Sequence, residues 1–126
     1  MRLAYVDTSC LVALALGEAD APAMRRRFRA FDGLVASNLL EAEYRAAMRR
    51  EAVEPIDDHL DRITWIDTDR PLSPEIARVL GAGYASGADS WHLATALYFA
   101  DDPSELAFLT LDKRQAALAK TLGFAS

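Results

Sequence analysis

A single cysteine, Cys10, occurs in the 126 residues. That excludes an internal disulfide and a thiolate metal cluster, so stability and any metal site must come from other side chains. The thiol, next to Leu11, is read as a buried core group. Long apolar runs are also missing. No stretch of about 18 uncharged apolar residues occurs, and Leu11 to Leu16 is too short to cross a bilayer and lacks a basic leader and a cleavage site. A soluble, cytoplasmic protein is expected. A basic excess is lacking too: 14 Lys plus Arg stand against 19 Asp plus Glu, a net charge of −5, which argues against gripping nucleic acid through a broad basic surface. Basic residues do cluster locally, Arg25, Arg26, Arg27 and Arg29 in one stretch and Arg45, Arg49 and Arg50 in another. These either touch phosphates or coat solvated helix faces. No repeat, linker or low-complexity tract divides the chain, and 52% hydrophobic residues suffice for one core, so residues 1–126 are read as a single domain.

What is present alternates. Leu3-Ala4-Tyr5-Val6 is a short apolar run ending in Asp7-Thr8-Ser9, residues that cap a following helix, and Gly17 offers that helix a stop. Asp20 and Pro22 start a second helix through the arginine-rich stretch. Gly33 to Ala36 reads as a strand, and Ser37 as the cap of a helix to about Glu51 with Leu39, Leu40, Ala42, Ala46, Ala47 and Met48 as its apolar stripe. Ile56 to Asp61 suggests a short helix, and the β-branched and aromatic Ile63-Thr64-Trp65-Ile66 a third strand. Ser73-Pro74-Glu75 opens another helix, with the serine as cap. Asp89 begins a helix from Ser90 to Phe99, Ala107 to Leu111 is a fourth strand, and Lys113 to Leu122 the last helix. Strands separated by helices predict an α/β fold with a parallel sheet covered on both faces. Ligands of such sheets bind beyond the carboxyl ends of the strands.

Asp7 follows the first strand, Asp112 the fourth, and Asp89 follows a glycine-rich turn. Each alone has an ordinary explanation as a helix cap. Three carboxylates converging in a cleft would repel one another unless protons or a cation compensated, and an all-oxygen set suits Mg²⁺ or Mn²⁺. Glu43 is a fourth candidate. Its neighbours at helical spacing are Leu39, Ala46 and Ala47, so it points along the apolar stripe, whereas Glu41 has Arg45 four residues on as an ordinary ion-pair partner.

These residues also carry a resemblance. Val6-Asp7-Thr8-Ser9, Ser37-Asn38-Leu39 through Glu43-Tyr44-Arg45-Ala46, Asp89-Ser90-Trp91-His92-Leu93-Ala94-Thr95-Ala96 and Leu109-Thr110-Leu111-Asp112-Lys113-Arg114 resemble, in order, the four motifs of PIN domains of the VapC toxin type. The resemblance implies a three-layer α/β/α sandwich with a central parallel sheet. It further implies a Mg²⁺- or Mn²⁺-dependent endoribonuclease, the toxin of a bacterial toxin-antitoxin pair, with a cognate antitoxin lying in the active-site groove. It maps the acidic site onto Asp7, Glu43, Asp89 and Asp112. Ser90 and Trp91 depart from the small and aliphatic residues more usual there, and the chain stops at Ser126, so a closing strand around Phe124 must be very short or absent.

In a metal-assisted cleavage Asp7 and Asp112 are primary ligands, Asp89 a further direct or water-mediated one, and Glu43 a ligand or the group orienting the attacking water. Thr8 and Ser9 either bond a carboxylate or phosphate or cap the helix, and Thr110 backs up Asp112 or packs in its strand. His92, one turn beyond Asp89, is read as a core or supporting group, outside the catalytic set. Trp65, Trp91, Tyr84, Tyr98 and Phe99 are mainly core, with base stacking a minor alternative. Leu11, Leu14, Leu16 and Phe28 are either core or a surface for an antitoxin helix or a second copy, giving a homodimer. Two other functions stay open: a degenerate domain that binds RNA or a protein without cutting, and a phosphohydrolase with Asp7 as nucleophile. The second lacks the aspartate such enzymes carry two residues later, where this chain has Ser9.

Overall fold

The computed structural model describes all 126 residues. Four strands, β1 (Leu3–Val6), β2 (Gly33–Ser37), β3 (Ile63–Ile66) and β4 (Leu106–Leu109), form one sheet in the order β3-β2-β1-β4, with every pair parallel. The central strands are runs of buried apolar residues, as a sheet covered on both faces requires; Ala4, Tyr5 and Val6 of β1 are fully buried. Seven helices cover it: α1 (Thr8–Leu16), α2 (Ala21–Arg29), α3 (Leu39–Arg50), α4 (Asp57–Asp61), α5 (Ser73–Ala82), α6 (Gly87–Phe99) and α7 (Lys113–Thr121). Helix α1 packs on α2 and α3, while α5 packs on α6 and α7. The chain winds outward from β1 through β2 to β3, then returns past both to lay β4 on the other side of β1. With right-handed crossovers that reversal sends the later helices to the opposite face, which produces the expected three-layer sandwich. The strand order switches between β1 and β4, and beyond their carboxyl ends lies the crevice where such sheets bind ligands.

The edges are short. β3 exposes Thr64 and half-buries Trp65. Beside β4 the closing strand is reduced to one parallel bridge, Ala107 to Ala125, in which Phe108 N–H donates to the Ala125 carbonyl at 2.9 Å. Phe124 is buried there against Phe108, their ring centroids 5.7 Å apart.

Several boundaries differ from the sequence reading. β4 ends at Leu109, which frees Thr110 and Leu111 for side-chain partners, and β2 runs on through Ser37. Ser37 is therefore a strand residue, with Asn38 in the cap position, although its Oγ still accepts from Leu39 N–H at 3.1 Å. The buried stripe of α3 is Leu40, Tyr44, Ala47 and Met48, not Ala42 and Ala46, which face solvent. Leu72, not Ser73, occupies the cap of α5, with Ser73 already inside the helix. Helix α6 starts at Gly87, and its cap is Ser86, whose Oγ accepts from Asp89 N–H at 3.2 Å. Leu11, Leu14 and Phe28 belong to the core, which removes them from any partner surface, and Cys10 is buried with its thiol pushed up to about 12 by burial.

Candidate metal centre

The end of β1 places Asp7 at the switch point, buried at 5% exposure. Its N–H donates to the Leu109 carbonyl of β4 at 3.0 Å, which ties the two strand ends together. As the cap of α1 it accepts from Ser9 N–H through Oδ1 at 2.6 Å, and Oδ2 accepts from the Thr110 hydroxyl. Thr110 also accepts Asp112 N–H at 3.0 Å through the same oxygen, so it supports Asp7 as well as Asp112. Asp112 caps α7, its Oδ1 accepting from Gln115 N–H at 2.9 Å. Ser9 Oγ accepts from Leu111 N–H at 3.0 Å and closes the junction from the other side. Of the roles weighed for Thr8, Ser9 and Thr110, the cap of α1 falls to Asp7 instead; the Thr8 hydroxyl bonds the Glu43 carboxylate, the Ser9 hydroxyl takes Leu111 N–H, and Thr110, outside its strand, holds both Asp7 and Asp112.

For Asp89 the capping explanation fails, because Ser86 does that work. Its half-buried carboxyl sits in the first turn of α6 and is pushed above the ordinary aspartate range by burial first, then by the charges of Asp7 and Asp112. That repulsion places the three carboxylates in one electrostatic neighbourhood.

Glu43 reaches the same edge from α3. Oε1 accepts from the Thr8 hydroxyl at 2.8 Å and is 2.6 Å from His92 Nε2, contacts that hold its carboxyl below the usual glutamate range, with the His92 hydrogen bond the leading cause. Glu41 instead forms the i,i+4 pair with Arg45 at 2.8 Å. The facing argument that separated the two glutamates is thus matched by their partners. It worked through the wrong stripe, however: Glu43 lies beside the buried Tyr44 and Ala47 and faces α1 and α6 rather than an apolar ridge.

Behind Glu43 lies a polar chain that sequence reasoning did not find. His92 is 1% exposed, and its Nδ1 lies 2.7 Å from the hydroxyl of Tyr5, which accepts from Ser37 N–H at 3.1 Å. Burial raises the Tyr5 phenol strongly, so it remains protonated. Ser37 Oγ takes the Trp91 indole N–H at 3.0 Å, which gives the unusual Trp91 a partner. Tyr5 looked like strand filling, because nothing in a four-residue apolar run shows where a hydroxyl ends. The one available signal was His92, three residues after Asp89 and hence on the same face of α6.

No three His, Cys, Asp or Glu side chains stand close enough to make a ready-formed metal cluster. The carboxylates form an acidic edge rather than a closed cage. They nonetheless suit a hard dication: every donor is an oxygen, and Asp89 is destabilised by neighbours whose charge a cation would offset. None of the five main cavities is lined by Asp7, Glu43, Asp89 or Asp112, and the one of about 460 Å³ lies at the opposite end of the sheet, beside Leu3. Of the local basic clusters, Arg45 and Arg50 are already paired with Glu41 and Glu51, while Arg25, Arg26, Arg27 and Arg29 are solvent-exposed on α2. Tyr84 and Phe99 are exposed, whereas Trp65, Trp91 and Tyr98 pack against the core.

The PIN-domain family pattern matches residues 4–121. Ribonuclease VapC46 of Mycobacterium tuberculosis is 33% identical to the chain over 135 aligned residues, covering 99% of this chain and 96% of that protein.

Proposed function

The chain belongs to the PIN-domain family, and from that premise we propose that it is a divalent-metal-dependent endoribonuclease, the toxin of a bacterial toxin-antitoxin pair. The observation that carries the reading is the gathering of carboxylates at the switch point: Thr110 links Asp7 and Asp112 at the ends of β1 and β4, and Asp89, half-buried and relieved of capping duty, is raised by burial first and then by their two charges. The relative named a ribonuclease supports RNA as substrate.

Asp7, Asp89 and Asp112 would hold Mg²⁺ or Mn²⁺, with Glu43 beside them. When bound, such an ion increases the acidity of water and offsets charge developing on the phosphate. The chain's own groups do the rest. Thr110 and Ser9 fix Asp7, Gln115 fixes Asp112, and Thr8 with His92 fixes Glu43. Glu43, kept ionised, acts as acceptor for an attacking water. A net charge of −5 leaves phosphate attraction to the cation and to local arginines.

By the same reading the protein works in the cytoplasm, pairs with a cognate antitoxin and forms a homodimer. No helix is long and apolar enough to cross a membrane. The phosphohydrolase alternative finds little support, since Ser9 stands two residues after Asp7 where such enzymes carry a second aspartate.

The test incubates purified, antitoxin-free protein with total cellular RNA in Mg²⁺, in Mn²⁺ and in chelator, beside Asp7→Asn and Glu43→Gln. Metal-dependent cleavage by the parent, reduced at least about 100-fold in Asp7→Asn, is expected. Intact RNA in every metal condition would overturn the nuclease and leave the binding module; a trapped aspartyl-phosphate would favour the phosphohydrolase.

A further inference from the structure

We propose that Tyr5 and His92 form a buried positioning relay that pins Glu43 through Oε1 alone, so that Glu43 acts at the acidic edge only through Oε2. The inference rests on the nuclease reading and assigns Glu43 a single working oxygen.

The direction of each hydrogen bond follows from counting donors. Ser37 N–H donates to the Tyr5 oxygen at 3.1 Å, which leaves the phenolic O–H free to donate, and the acceptor within reach is His92 Nδ1 at 2.7 Å. An imidazole that accepts at Nδ1 carries its proton at Nε2. Nε2–H then points at Glu43 Oε1, 2.6 Å away. The Thr8 hydroxyl donates to the same oxygen at 2.8 Å. Two donors thus converge on Oε1 from α1 and α6, and no protein group bonds Oε2. The reverse arrangement, with Nδ1–H donating to Tyr5, would leave the phenolic proton without an acceptor among fully buried residues, a costly state.

The relay is built to be rigid. Tyr5 is 0% and His92 1% exposed, and the Tyr5 ring stacks on Phe108 with centroids 5.1 Å apart, which fixes where its hydroxyl ends. His92 stands edge-on to that ring at 72°. Trp91, next to His92, is anchored to Ser37 Oγ at 3.0 Å, so one residue at the end of β2 holds both the tyrosine and the α6 segment that carries the histidine. A carboxylate with one oxygen saturated by a fixed imidazole presents the other in one orientation, as an acceptor for water or a monodentate donor to a cation. Bidentate binding would require breaking the bonds from His92 and Thr8.

Two readouts test this on the full chain. In metal-free protein, ¹⁵N shifts of the His92 ring report the tautomer: a protonated Nε2 with Nδ1 as acceptor is expected, and a mixture of tautomers in Tyr5→Phe. On an RNA that the parent cleaves in Mn²⁺, Tyr5→Phe is expected to lower kcat about tenfold and His92→Leu up to about 100-fold, with KM within about twofold. His92→Gln, whose amide can still donate to Oε1, is expected to recover most of what His92→Leu loses. Phe28→Leu, a core change in α2 outside the relay, serves as the control for lost stability. A protonated Nδ1 in the parent would overturn the relay. So would kcat values for Tyr5→Phe and His92→Leu within twofold of the parent, or losses matched by Phe28→Leu at equal stability. If Tyr5→Phe fails to fold, the Gln and Leu variants of His92 decide the matter. A parent that cleaves no RNA sinks the nuclease reading, and the ring shifts then judge the relay separately.

Discussion

Asp89 and His92 share one face of α6, and His92 also bonds Glu43, yet the two carboxyls are driven in opposite directions. Burial, Asp7 and Asp112 raise Asp89, while the hydrogen bond from His92 lowers Glu43. A depressed carboxyl contributes stability that is fully present above the ordinary glutamate range and is lost as pH falls through its lowered value. Glu43→Gln should therefore cost about 1 kcal/mol at neutral pH, the scale of one charged hydrogen bond, and the difference should vanish in acid, as urea melts between pH 7 and pH 3 would show. A raised carboxyl acts the other way: its ionised form burdens the fold above the raised value and the burden lifts as pH falls. Asp89→Asn should accordingly raise the metal-free thermal midpoint by a few degrees at pH 7 while removing metal-dependent cleavage. A midpoint below that of the parent would contradict the repulsion argument.

At the scale of elements, local chemistry sets the ends of α1 and α6 differently. Gly17 closes α1 at φ 64°, with Glu18 N–H donating to the Ala13 carbonyl at 3.0 Å, a left-handed turn that an L side chain resists. A methyl group there would meet nothing within 4 Å, so Gly17→Ala should cost about 1 kcal/mol through the backbone alone. Gly87, in the first turn of α6, has equally open space and no positive φ, so Gly87→Ala should stabilise by about 0.5 kcal/mol. Paired denaturant titrations test both signs. Such elements were largely legible beforehand: Ile63 to Ile66 was located to the residue because β-branched and aromatic side chains are bounded by polar ones. The serines misled at two helix starts. Ser37 continued its strand because the sheet pairs it with Ile66, and Ser73 fell inside its helix behind the buried Leu72.

For the molecule as a whole, cation binding and folding should be linked. An ion that binds only the folded acidic edge stabilises by about 2.7 kcal/mol at a hundredfold excess over its Kd, so the thermal midpoint should climb with Mg²⁺ or Mn²⁺, fall back with chelator, and stay flat in Asp7→Asn. An unchanged parent midpoint across millimolar Mn²⁺ would count against the site. The sequence by itself determined the alternation of strands and helices, the parallel sheet, the positions of Asp7 and Asp112 after β1 and β4, and the pairing of Glu41 with Arg45, because periodicity, capping and i,i+4 spacing are local properties. Only the tertiary structure decided that Asp89 is free of capping while Asp7 and Asp112 are not, that Thr110 serves both Asp7 and Asp112, and that Tyr5 reaches across to His92 and through it to Glu43. Tyr5 and His92 are 87 residues apart. Contacts at that separation arise from how the sheet is ordered and which helix crosses it, and no local pattern in a chain encodes them.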